Sequence, residues 1–257
     1  MAAVIRRLLQ PDAALLDDPS PRRIARVAGV TVLCLAAYGF TTGFWRSPQL
    51  GVYVAIKMPL LIACTLGCNG ILNGLFGLLL GGLGFRESLL ALLSAFAASA
   101  LLLGSLAPVT FMLALDAPPP HSDNATSAHS GYLLFHVVLI AIAGITGTLL
   151  LFRILRNRCA TPAVASVTML SWLAGNGILG AQFSWIFRPF FGSPHLEVAF
   201  LRDHPMEGGF HESVWRAVRH FTGDDPRLAA IAMLGIAAVL ARPMFRTLFP
   251  RPQTIRP

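Results

Sequence analysis

Six apolar stretches, over residues 24–45, 58–80, 88–115, 131–152, 164–187 and 228–249, are each long enough to cross a lipid bilayer. A hydrocarbon core about 30 Å thick takes roughly 20 residues of helix at about 1.5 Å each. The chain is 55% hydrophobic and 12% charged, a balance that puts about half of it in lipid and excludes a large soluble domain. The expected fold is therefore all-α, a polytopic membrane protein with six transmembrane helices. Ahead of the first stretch, Asp12, Asp17 and Asp18 stand among prolines. That is unlike a cleavable signal peptide, so the first span is expected to remain as an anchor.

Basic residues beside the spans give the orientation, because translocating them against the membrane potential is disfavoured. Arg6, Arg7, Arg22, Arg23, Arg26, Arg86, Arg153, Arg156, Arg158, Arg242, Arg246, Arg251 and Arg256 make thirteen on one side. The first connection has only Arg46 with Lys57, and the connection over residues 116–130 has none. Both termini are expected in the cytoplasm. The connection over residues 188–227 carries five further arginines against this trend, interspersed with six acidic residues. The expected parts are a cytoplasmic arm (1–23), a membrane domain of five spans (24–187), a periplasmic cap (188–227), a sixth span (228–249) and a cytoplasmic tail (250–257).

A net charge of +8 invites a nucleic-acid reading, but bases at helix ends are better explained by the inside-positive bias and by anionic lipid headgroups. Lipids are the expected partners, together with a protein partner or further copies of the chain, and no nucleic acid. Nineteen of twenty basic residues are arginine, a composition associated with GC-rich bacterial genomes, which points to a bacterial inner membrane. Cys34, Cys64 and Cys68 lie in spans and Cys159 in a cytoplasmic connection, so no disulfide is expected. The one-turn spacing of Cys64 and Cys68 lacks a second pair or a histidine at its depth, and no cofactor is expected.

The second span carries Gly70, Gly74, Gly77 and Gly81 at spacings that let helix backbones approach closely in lipid. Packing within the chain is the first expectation for them, and a homo-oligomeric interface the alternative. On the same helix Asn69 and Asn73 need amide partners, for which Asn176 and Gln182 in the glycine-rich fifth span are the candidates. The expected spans hold almost no ionisable residue, with Lys57 and Asp116 placed at span ends within reach of headgroups. A coupled transporter normally keeps such a group near the midplane, often between interrupted helices.

All seven histidines, His121, His129, His136, His195, His204, His211 and His220, fall in or beside the two outer connections. Their spacing is irregular, and His211 to Trp215 begins like a zinc-protease HExxH but ends in Trp. Solvated loop histidines are the expectation, with no metal. In the long cap, Phe210, Val214, Val218 and Phe221 recur at helical spacing opposite His211, Glu212, Arg216, Arg219 and His220. This predicts a short amphipathic helix, with Trp215 suited to the headgroup layer. The candidate binding residues of the cap are Arg188, His195, Glu197, Arg202, Trp215, Arg216 and Arg219.

Before that helix runs AQFSWIFRPFFGSP, residues 181–194, a Trp and Arg belt followed by prolines and a glycine that turn the chain along the membrane surface. With Ser105, Leu106, Ala107 and Pro108, this run resembles a family of uncharacterised bacterial multi-pass membrane proteins sharing an L-x-W-x-L-R-P-F-x-G-x-P element. The similarity extends from the second span to the cap. The hydropathy is also similar to Yip1-type proteins, without their signature residues. The resemblance implies six spans and supplies no activity, and Phe183 and Phe187 stand where the pattern has leucines.

Nucleophile and base, paired carboxylates or a metal cluster are not evident by spacing. The leading expectation is a non-catalytic subunit or scaffold of a membrane assembly. A small-solute transporter or channel is the alternative, and a lipid-acting enzyme, with Arg188, His195, Glu197 and Arg202 at its edge, comes third.

Overall fold

The computed structural model describes residues 16–17, 19–120, 122, 125–193, 197–223, 225, 227–228, 230–231 and 234–235. Among them are seven helices and no strand: α1 (Pro21–Phe44), α2 (Pro48–Cys68), α3 (Gly70–Gly81), α4 (Phe85–Asp116), α5 (Ala125–Arg158), α6 (Pro162–Ile186) and α7 (Phe210–Phe221). Five of these, α1, α2, α4, α5 and α6, are long and apolar enough to cross a membrane. The chain is thus an all-helical, multi-pass membrane protein. The expected sixth span falls largely outside the described residues.

Three helices begin with the same local device, a hydroxyl N-cap followed by proline. Ser20, Ser47 and Thr161 accept hydrogen bonds from the backbone N–H groups of Arg23, Leu50 and Val164 at 3.4, 3.1 and 3.2 Å. The proline after each fixes φ for the first turn and removes an N–H that would have had no partner. Helix α2 starts at Pro48, ten residues ahead of the expected residue 58. The same traverse is interrupted at Asn69, which ends α2 and begins α3. The second stretch is therefore two helices in series. At the far end Gly82 takes φ 67°, a left-handed conformation that suits glycine, and α3 stops there.

Small residues set the helix contacts. A Cβ on Gly39 would stand 2.7 Å from the Val54 carbonyl oxygen, and one on Gly43 would stand 2.7 Å from that of Leu50, so α1 and α2 meet backbone to backbone. A Cβ on Gly104 would stand 2.8 Å from Cys34 Cβ, which brings α4 equally close to α1. Helix α4 runs through the middle, with α1, α3 and α5 packed around it, and it supplies the largest share of the main apolar core, including Leu90, Ala91, Leu92 and Ala97. In lipid such contacts replace the hydrophobic drive of a soluble core.

The connections sort to two ends. At the arginine-rich end Arg158 pairs with Asp17 at 2.9 Å and with Glu87 at 2.6 Å, tying the arm, the start of α4 and the end of α5 together. At the other end Trp45 donates to the Pro118 carbonyl oxygen at 3.0 Å, and Arg46 donates to that of Ser193 at 3.0 Å. Successive spans therefore alternate in direction, and the turn after α6 and helix α7 pack toward the second end through Arg46, Lys57 and Gln182.

Candidate functional site

The turn after α6 does not lie along the surface as its prolines suggested. It enters the mouth of the bundle. Lys57 Nζ donates to the Pro189 carbonyl oxygen at 2.8 Å, and Phe191 meets the His136 ring with centroids 5.6 Å apart. Lys57 stands nine residues beyond Pro48, about 14 Å along α2. Gly192 permits the entry: its φ is 66°, and a Cβ there would stand 2.6 Å from Leu50 Cδ2 and 2.9 Å from Arg46 Cγ. Irregular backbone at such depth is tolerated where protein surrounds it.

Beside the turn is a partly open pocket of about 360 Å³, which Phe190 and Phe191 help to line. Its walls come from α1, α2, α4, α5 and α6, apolar except for Thr42, Ser99 and Ser184. That size and lining, with a few polar groups on an apolar surface, suit a small apolar or amphiphilic molecule.

Two buried ionisable residues stand at the turn, which corrects the expectation that Lys57 reaches the headgroups and His136 is solvated. Both are 0% exposed. Lys57 lies inside α2 because that helix starts early, and its ammonium faces the rings of Phe190 and Phe200 at 5.9 and 5.1 Å. His136 lies inside α5, which starts at Ala125 rather than at residue 131. Its Nδ1 shares a hydrogen bond with the Tyr38 hydroxyl at 2.6 Å, and the Tyr132 ring is 4.4 Å away. The Tyr132 hydroxyl donates in turn to the Thr41 carbonyl oxygen at 2.7 Å. These bonds give partners to Lys57, Tyr132 and His136 Nδ1, as polar groups in lipid require, whereas His136 Nε2 is buried with no partner among the described residues.

Outward of the turn, two arginines share one indole. The Arg188 guanidinium carbon lies 3.1 Å from the Trp185 ring centroid and that of Arg202 lies 4.8 Å from it. Arg188 Nε donates to the Trp185 carbonyl oxygen at 3.0 Å. The Glu207 carbonyl oxygen accepts from both Arg202 Nη2 at 2.7 Å and Trp185 Nε1 at 3.2 Å. Burial, and then the neighbouring Arg202 charge, lower the Arg188 pKa.

At the α2–α3 joint the expected contact between the two glycine-rich helices is present. Asn73 Nδ2 donates to Asn176 Oδ1 at 3.2 Å and Asn176 Nδ2 to Asn73 Oδ1 at 3.0 Å. Asn69 Nδ2 donates to Asn73 Oδ1 at 3.1 Å, and Trp172 Nε1 to the Asn73 carbonyl oxygen at 2.8 Å. Gln182 is used elsewhere, accepting from the Phe210 N–H at 3.3 Å and so seating α7. A Cβ on Gly74 would meet the Phe85 ring, one on Gly77 would meet Ser88 Oγ and Trp172, and one on Gly81 would stand 3.2 Å from Thr168 Oγ1. Gly70 has open space, so only the later glycines of the stripe pack.

The remaining cap residues do not gather into one site. Glu197 is exposed and His195 lies outside the described residues, so the four residues considered for an enzyme edge are represented together only by Arg188 and Arg202. On α7, Arg216 pairs with Glu212 at 3.3 Å, while Trp215 and Arg219 are half-buried. His129 stacks on Trp45 with centroids 5.6 Å apart, whereas His204, His211 and His220 are exposed. Among the described residues no three His, Cys, Asp or Glu side chains converge.

The fold defines a multi-pass membrane protein. The chain matches no protein-family model, no curated protein and no solved structure.

Proposed function

We propose that this chain admits a small apolar or amphiphilic solute to the pocket beside the cap turn and acts as a transporter or channel. The observation that supports this reading is the apolar pocket lined by Phe190 and Phe191 of a turn whose carbonyl is held by the buried Lys57. Ionisable groups inside spans default to function, and substrate sites in membrane transporters gather at interrupted helices. Lys57, His136 and the break at Asn69 thus bring forward a reading that the sequence ranked second.

In the same reading the arginine-rich end faces the cytoplasm of a bacterial inner membrane, with six spans and both termini on that side. The cap is then periplasmic, and α7 lies in the outer headgroup layer. The chain would belong with the bacterial multi-pass proteins that share the L-x-W-x-L-R-P-F-x-G-x-P element.

The test is chemical access. Thr42→Cys, in a chain whose four native cysteines are changed to alanine, is exposed in vesicles to a small water-soluble thiol reagent. Modification is expected, and Phe191→Ala accelerates it by on the order of tenfold, about 1.4 kcal/mol of turn opening. Rates no higher than at the lipid-facing Ile145→Cys, with or without the Phe191 change, overturn the reading. Ile145 is 61% exposed.

A non-catalytic subunit or scaffold remains the second reading, supported by the way the cap is fixed to α1, α2 and α6 through Arg46, Lys57 and Gln182. A surface so held keeps one geometry for recognition. Native mass spectrometry of the protein extracted with its lipids separates the two: a stoichiometric foreign chain favours the scaffold, and its absence removes that reading.

A further inference from the structure

We infer that Arg188 and Arg202, laid on the ring of Trp185, form a binding site for the phosphate of an anionic membrane lipid. This goes beyond the transport reading and does not depend on the pocket. Two guanidinium groups share one indole, their carbons 3.1 and 4.8 Å from its ring centroid, so two like charges gather around one side chain. The ion pairs among the described residues involve Arg158, His204 and Arg216, and none involves Arg188 or Arg202. Arg188 Nη2 and Arg202 Nε are both shielded from water with no hydrogen-bond partner among the described residues. A phosphate supplies what the pair lacks, a counter-charge and acceptor oxygens in the fork geometry of guanidinium.

The site is also built in advance. Backbone carbonyl oxygens of Trp185 and Glu207 fix one N–H of each arginine, and the Trp185 indole N–H is bound to Glu207 as well. Each side chain is thus anchored on one N–H, and a small movement of the guanidinium groups opens the shielded donors to an oxygen. Its level favours a lipid as the source of the phosphate. Trp185 lies in the last turn of α6, and Trp and Arg at a span end mark the headgroup layer.

The probes are phosphatidylglycerol, phosphatidylcholine and inorganic phosphate, added to delipidated protein in neutral detergent. Native mass spectrometry is expected to show phosphatidylglycerol retained over phosphatidylcholine, with retention falling by on the order of tenfold in Arg188→Gln/Arg202→Gln. Arg188→Lys/Arg202→Lys should restore part of it, which a loss of fold would not. On the unsubstituted chain, brominated phosphatidylglycerol should quench tryptophan fluorescence more than brominated phosphatidylcholine, and Trp185→Phe should abolish the difference. Equal retention of the two lipids, or retention indifferent to the arginine changes, overturns the site. Inorganic phosphate that displaces nothing supports the lipid source. If it binds with the same arginine dependence while phosphatidylglycerol shows no preference, the lipid assignment is overturned.

Discussion

Lys57 and Pro189, 132 residues apart in the chain, are joined by one hydrogen bond of 2.8 Å from ammonium to carbonyl oxygen. It ties the interior of α2 to the turn, beside the Arg46 bond to Ser193 and the Phe191 contact with His136. Hydrogen bonds to charged groups contribute about 1.5–3 kcal/mol, and the Pro189 carbonyl loses its partner if the ammonium is removed. Lys57→Met keeps the apolar stem and should raise hydrogen exchange over residues 190–193 by at least about tenfold. Exchange equal to that of the parent would show that the bond does not hold the turn.

The glycine stripe on α3 divides into positions that pack and one that does not. Gly77→Ala places a methyl group against Ser88 and Trp172 and should cost about 1–3 kcal/mol in detergent unfolding. Gly70→Ala meets open space and should stay within about 0.5 kcal/mol of the parent. Equal losses at both positions would point to contacts with another copy of the chain instead.

Asn73 and Asn176 exchange two hydrogen bonds across α3 and α6. Asn73→Leu should destabilise the protein by about 1–2 kcal/mol, as polar contacts between membrane helices do. A double-mutant cycle with Asn176→Leu reads the coupling directly, and strict additivity of the two losses would remove the pair as a unit.

Cys159, in the link between α5 and α6, has its thiol pushed above the ordinary 9.0 by burial. The folded state thus favours the neutral thiol. The stability this contributes is complete below the unfolded pKa and is lost as pH rises through the folded one. Alkylation by iodoacetamide at about pH 8 should be slower in the folded protein than in dodecyl sulfate, since the thiolate is the nucleophile. Comparable rates in the two states would contradict the shift.

Most spans were legible because a long apolar run has few alternatives. The start of α2 was not, since Gln49, Tyr53 and Lys57 lower the hydropathy of its first half. The signal that marks it is local: Ser47 followed by Pro48, the same device that opens α1 and α6. Missing that start moved Lys57 from the protein interior to the headgroups. The Gly39 and Gly43 pair has the same four-residue spacing as the stripe on α3, yet it meets the backbone of α2. Spacing alone does not say which glycines meet a backbone. Arg188 and Arg202 were singled out by sequence, but their meeting on Trp185 depends on how the cap folds back, which no periodicity encodes. The amphipathic run from Phe210 to Phe221 was readable for the opposite reason, that its period is contained within one helix.

The amides at the α2–α3 joint also bear on the order of assembly. Asn73 finds Asn176 and Trp172 on α6, 103 and 99 residues further along the chain. As the protein is made, the second traverse therefore enters the bilayer about a hundred residues before those partners exist, and polar side chains in hydrocarbon are costly until paired. The arrival of α6 supplies the partners that complete the Asn73 hydrogen bonds, while Asn69 and the backbone already bond across the joint.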